Sequence, residues 1–189
     1  MNIADRPGDD RSGNADRSGN ADRSGNADRS GDADRSGDDG YTEIIGGNRL
    51  PKDHPIPECL GAFDELNAFL GDAKVALTGK GDSAGVINAI QNDLIRLMGI
   101  IAGTPFPAEG IGEDRLDGII RKLKAETPPF TSFSVPGANP VSAKLHIART
   151  VCRRAERRLV SLGGETAAAV CPYMNRLSDL LFLLAQKES

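Results

Sequence analysis

The chain has 189 residues, 26% of them charged, with a formal net charge of −4. That length suits one domain with a sizeable core, and the absence of a basic excess argues against a nucleic-acid partner. No apolar run reaches the ~20 residues of a membrane span. Cys59, Cys152 and Cys171 show neither a C-x-x-C pair nor a metal spacing. Three unpaired thiols fit a reducing compartment. The N-terminus has no hydrophobic signal core, and its aspartates argue against a transit peptide, so a cytoplasmic protein is expected.

Residues 1–33 are built from tandem hexamers, ADRSGN or ADRSGD, beginning at Ala15, Ala21, Ala27 and Ala33, with Ile3 almost the only large apolar side chain among them. Such a segment cannot bury enough apolar surface to offset its ordering entropy, so a disordered tail is expected over 1–33 and a single domain over 34–189. The last hexamer alone runs on into Asp39-Gly40-Tyr41-Thr42, and a loop rich in Gly, Asn and Pro extends to Pro57.

Helical spacing begins there. Leu60, Phe63, Leu66, Leu70 and Ala73 fall at three- and four-residue steps, and Val86, Ile87, Ile90, Leu94, Leu97 and Ile100 repeat the pattern up to Gly103. A shorter amphipathic helix, "GEDRLDGIIRKLKAE", has acids early and Lys122 and Lys124 late, as the helix dipole favours. The proline-rich stretch "TPPFTSFSVPGANP" is too broken for a helix. Two more helices are expected, one over about 141–162 and stopped by Gly163-Gly164, the other over about 165–187. Outside the short runs Thr42–Ile45 and Thr131–Val135 there is no strand alternation. The expected fold is all-α: a five-helix bundle with an ordered N-terminal loop.

The fourth helix carries most of the chemistry. Ala148, Val151, Cys152, Ala155, Leu159 and Leu162 form one apolar stripe. Arg149, Arg153, Glu156 and Arg157 share another with His146, and Arg154 and Arg158 point to a third side. Guanidiniums one turn apart repel unless an anion lies among them, and the arginine fork matches phosphate oxygens. The alternative is a solvated basic face partnered by Glu156 and nearby acids. On the fifth helix Asn175, Ser178 and Asp179 share a face opposite Leu177, Leu181 and Leu184. Facing the arginines, that cluster suits a nucleotide with Mg²⁺, or else a buried polar network between helices. The glycines of "RSGDDGYT" allow an anion-binding nest of backbone N–H groups. Ser178 has no evident base, His54 and His146 lie in unrelated contexts, and Cys152 sits on the apolar stripe. The attacking group therefore belongs to a substrate or cofactor.

The motifs "RSGDDGYT", "PKDHP", "GAFDELNAFLG", "VPGANPVSAKLHIARTVCRRAERRLV" and "MNRLSDLLFLLA", in that order, resemble the PduO-type ATP:cob(I)alamin adenosyltransferases over roughly residues 34–186. The resemblance implies a homotrimeric five-helix bundle with active sites between subunits, in which Co(I) of reduced cobalamin attacks the 5′ carbon of ATP. It implies that Arg35, Ser36, Gly37, Asp38 and Thr42 wrap the triphosphate with Lys52. Arg153, Arg154, Glu156, Arg157 and Asn175 bind ATP, with Glu156 and Asn175 near Mg²⁺. Asp64 pairs with Arg149 across the subunit interface, and Phe133 holds cobalamin with its lower ligand displaced. A cobalamin reductase and an adenosylcobalamin-dependent enzyme are the implied partners, and an adenosylcobalamin carrier is the alternative function. Asp34 departs from the family's usual Thr, and Pro136-Gly137-Ala138-Asn139 stands for its "PGG".

Overall fold

A computed structural model describes residues 37–45, 47–77, 82–105, 111–127 and 135–189. The expected tail over 1–33, Asp34, Arg35, Ser36, Phe133 and the run Thr131–Ser134 lie outside the described residues. Five helices follow a two-stranded antiparallel sheet. They are β1 (Tyr41–Glu43), β2 (Arg49–Pro51), α1 (Pro55–Ala76), α2 (Ser83–Ile101), α3 (Glu113–Glu126), α4 (Pro140–Leu162) and α5 (Gly164–Lys187). Among the described residues no helix is long and apolar enough to cross a membrane.

The helix ends follow local chemistry. α1 begins five residues before the apolar period does, because His54 Nδ1 accepts the Ile56 N–H at 3.2 Å and prolines at 55 and 57 need no intrahelical donor there. Asn139 caps α4 in the same way, its Oδ1 accepting the Ser142 N–H at 2.9 Å. Gly163 stops α4 with φ +66°, a conformation open to glycine and strained for most other residues.

Cross-helix contacts give the directions. Gln91 reaches the Asn67 carbonyl and Lys74 reaches Asn88, so α2 runs antiparallel to α1. Lys144–Asp72, Arg154–Glu65 and Arg158–Glu58 run antiparallel along α4 and α1, the three acids spaced seven residues apart. Arg176–Asp117 and Lys187–Glu126 show α3 parallel to α5. α4 packs against both α1 and α5. The core between them is aliphatic, with Phe63, Leu66, Leu70, Leu94, Leu97, Leu145, Leu159, Leu177 and Leu181 essentially inaccessible.

One carboxylate is buried inside this bundle. Asp93 of α2 is 5% exposed and accepts the Tyr173 hydroxyl of α5 at 2.7 Å, while Arg115 of α3 pairs with the same oxygen. Burial and the carboxylate together push the Tyr173 phenol far up, keeping it protonated as the donor. Gly112 sits beside them at φ +61°, and a Cβ there would come within 2.8 Å of Asp93 Oδ2. Gly112→Ala should cost ~1–3 kcal/mol and Asp93→Ala about 3 kcal/mol in urea unfolding. The double variant should lose less than the sum, because both changes act on one cluster.

His146 is a further titratable group inside the core. It is 7% exposed on α4, lies edge-on to Phe182 of α5 at 6.3 Å, and its Nδ1 has no partner. Desolvation first, and then the Arg149 charge one turn away, hold its pKa below the usual 6.5. The unfolded chain binds that proton more readily, so stability is complete above pH 6.5 and declines as pH falls towards the depressed value. His146→Gln should remove this component of the pH–stability curve measured by thermal unfolding.

Candidate functional site

The N-terminal loop is shaped by its own short-range bonds. After the turn Gly37–Gly40 the chain enters β1, which pairs with β2 in the register Tyr41↔Pro51, Thr42↔Leu50 and Glu43↔Arg49. Gly40 takes φ +84°, and its carbonyl accepts the Lys52 N–H at 2.9 Å. This folds Lys52 back over the turn. A Cβ on Gly37 would meet Lys52 Nζ at 3.2 Å, so the ammonium rests directly on the glycine backbone. Gly37, Asp38 and Lys52 are thus brought together, around a cation and a turn suited to an anion.

Thr42 faces another way. It lies half-buried in a groove of about 390 Å³ with Ile44, Ile45, Pro57, Leu60, Asp64, Ile95 and Met98. The groove joins β1 to the facing sides of α1 and α2. Asp64 is exposed within it and has no ion-pair partner among the described residues.

On α4 the three sides are put to three uses. Ala148, Val151, Cys152, Ala155 and Leu159 are buried in the core. Cys152 is fully buried with its thiol near the Met174 carbonyl, and desolvation pushes that thiol well above its ordinary range. It is a core residue and no nucleophile. Arg154 and Arg158 turn to α1, where Glu65 and Glu58 receive them. Arg153 and Arg157 are exposed, linked along the helix by the Arg157 Nη1–H donating to the Arg153 carbonyl at 3.0 Å. Glu156 stands at the seam with α5, where burial first and then the Glu156 charge raise the Cys171 thiol. Asn175 follows Cys171 by one turn on α5 and is exposed, as is Asp179.

Two placements were not legible in the periodicity. Ser178 is 4% exposed, so it belongs to the interior beside Leu177 and Leu181, apart from Asn175 and Asp179 on the outer surface. Arg149 is half-buried on the α5-facing edge of α4, with its Nε buried and unpartnered. Asp64 lies on the α2-facing side of α1, so the single chain does not bring the two together. The contacts of Asp39 and Arg49 with Tyr41 also went unread, because cross-hairpin pairing leaves no periodic trace in a loop. β2 was missed for the same reason.

The comparisons with known proteins agree with this geometry. A family model for cobalamin adenosyltransferase matches residues 33–188. The human corrinoid adenosyltransferase MMAB is 38% identical, with 78% of this chain and 64% of that protein covered. The corrinoid adenosyltransferase PduO of Salmonella typhimurium is 37% identical, with 79% and 47% covered. The chain thus spans less than two thirds of these two relatives. The structure of a variant PduO-type ATP:corrinoid adenosyltransferase from Lactobacillus reuteri, complexed with cobalamin and ATP, superposes with a TM-score of 0.76 at 29% identity. The superposition covers 82% of this chain and 92% of that one. With the family model matched over residues 33–188 and relatives at 37–38% identity over more than three quarters of its length, the chain belongs to the cobalamin adenosyltransferase family.

Proposed function

We propose that the chain is a corrinoid adenosyltransferase, moving the 5′-deoxyadenosyl group of ATP to cob(I)alamin and releasing inorganic triphosphate. The observation that carries this reading is the exposed pair Arg153 and Arg157, with Glu156 beside them at the α4–α5 seam. In the reaction the Co(I) electron pair forms the Co–C bond as the C5′–O bond breaks, and the electrons of that bond leave on triphosphate. The protein then has no nucleophile to supply. Its work is to bind, align and neutralise the leaving group.

Gly37, Asp38 and Lys52 hold one end of the triphosphate in this reading, together with Arg35 and Ser36, while Thr42, expected there as well, faces the groove beside Asp64. Arg153, Arg157 and Asn175 hold ATP from the other side. Arg154, occupied by Glu65, keeps α1 in register beside that face. Mg²⁺ fits the donor set as a weakly held ion: no group of three acidic, His or Cys side chains among the described residues is built to cage a metal. Glu156 and Asn175 would supply its protein oxygens and the phosphates the rest, and the ion would spread the charge of the leaving triphosphate. Phe133 would hold the corrin in this reading. The unpartnered Arg149 Nε and the exposed Asp64 are the two halves of an ion pair completed by a second subunit of a homotrimer. Reduced thiols at Cys59, Cys152 and Cys171 fit a cytoplasmic setting with a cobalamin reductase upstream and an adenosylcobalamin-dependent enzyme downstream.

Anaerobic mixing with ATP and chemically reduced cobalamin should give the visible spectrum of adenosylcobalamin, and at the same rate when residues 2–33 are deleted. No adenosylcobalamin would refute the activity. Binding of adenosylcobalamin without turnover would point to a carrier instead. Arg153→Ala should lower kcat/KM for ATP by about 100-fold with the fold intact, by analogy with the loss of one preorganised donor to a developing anion. For the interface, Arg149→Ala and Asp64→Ala should each shift the oligomer towards monomer in sedimentation. Exchanging the pair, Asp64→Arg with Arg149→Asp, should recover part of the loss.

A further inference from the structure

We propose that Arg49 is a positioning residue, locking the Gly37–Gly40 turn and Lys52 into their phosphate-gripping arrangement through Asp39 and Tyr41. The inference rests on the reading of that turn as a triphosphate site and assigns a role to residues outside it.

Three contacts meet on the Arg49 side chain and its neighbours. Its guanidinium pairs with Asp39 Oδ2, and its Cζ lies 5.1 Å from the centroid of the Tyr41 ring. The other oxygen, Asp39 Oδ1, accepts the Tyr41 N–H at 3.1 Å. Asp39 therefore closes the turn locally and fastens it to β2 at once, and the planar guanidinium both pairs and stacks, which an ammonium cannot do equally well. The Arg49 pairing and then the Tyr41 N–H hold the Asp39 carboxyl below the usual carboxylate range, so it is charged throughout the neutral range. The adjacent Gly40 carbonyl takes the Lys52 N–H, so whatever fixes Asp39-Gly40 also fixes the Lys52 ammonium over Gly37. A free turn would lose conformational entropy each time it closed on an anion. A turn already held against β2 has lost that freedom beforehand, which favours tight binding.

The geometry also separates positioning from direct binding. With Asp39 bound to it, the Arg49 charge is largely neutralised locally. Were Arg49 a triphosphate ligand, Asp39 would compete with the substrate, and removing its charge would tighten binding. A positioning lock requires the reverse.

The test is titration calorimetry with inorganic triphosphate, together with steady-state kinetics in ATP, on the full chain. Arg49→Gln and Asp39→Asn should each raise the triphosphate Kd and the KM for ATP by about fivefold, the scale of an exposed charge pair. kcat and the thermal midpoint should stay nearly constant. Asn at 39 still offers an oxygen to the Tyr41 N–H, so its effect isolates the pairing with Arg49. Arg49→Lys should recover part of the loss, and the double variant should be no worse than either single one. Tighter triphosphate binding in Asp39→Asn would overturn the proposal in favour of direct contact, and unchanged binding in both single variants would overturn it outright. Lys52→Ala is the reference. If it weakens triphosphate binding while Arg49→Gln and Asp39→Asn do not, only the lock is refuted. If it too has no effect, the turn is no triphosphate site and both readings fall.

Discussion

A buried carboxylate constrains this bundle more tightly than any apolar contact. Asp93 lies where water does not reach, and among the described residues the Tyr173 hydroxyl and the Arg115 guanidinium answer it. An apolar side chain can slide by a fraction of an ångström at little cost, whereas an uncompensated interior charge costs several kcal/mol, on the order of 3–5 when one partner is lost. The spacing of α2, α3 and α5 must therefore satisfy one oxygen atom. Gly112 belongs to the same constraint, because the chain can turn into α3 this close to Asp93 only without a Cβ.

With that end of the bundle set, α4 can be read as the element that divides structural from functional charge. Its aliphatic stripe is core, and its α1-facing edge is an ion-pair seam whose partners are about half exposed, each pair worth less than ~1 kcal/mol. Those pairs contribute register more than stability: Glu58, Glu65 and Asp72 recur every seven residues, so a shift by one residue would break all three. The remaining edge holds Arg149, Arg153 and Arg157 with no carboxylate from α1 to neutralise them. The four arginines of one motif thus divide into two that pair with α1 and two that stay exposed.

The hairpin before α1 obeys a different logic. It has too few residues to form a core of its own, and among its described residues only Ile44 is buried. Its shape comes from an Asx-type bond, a glycine with positive φ and an arginine that pairs and stacks. These are local directional contacts, and together they carry a lysine ammonium to a glycine backbone fifteen residues earlier in the chain.

Much of this was legible beforehand. The 3.6-residue period of Leu60 to Ala73 and of Ile87 to Leu97 specified two helices and their buried faces, and "HIARTVCRRAERRLV" specified both the family resemblance and the three-sided character of α4. The helix count, the buried Cys152 and the nearness of Lys52 to the glycine turn followed. That Arg154 and Arg158 face away from Arg153 and Arg157 followed too, but the carboxylates they meet did not. Only the packing of α1 gave one of them Glu65. Asp93 stood unnoticed in an apolar period, and Ser178 was grouped with Asn175 and Asp179 on one polar face, whereas it alone of the three is buried. Periodicity is a one-dimensional signal that reports which side of a helix is apolar. The partner that a charge finds is decided by which residues of distant segments the fold brings within hydrogen-bonding range, and that is settled only when the helices pack.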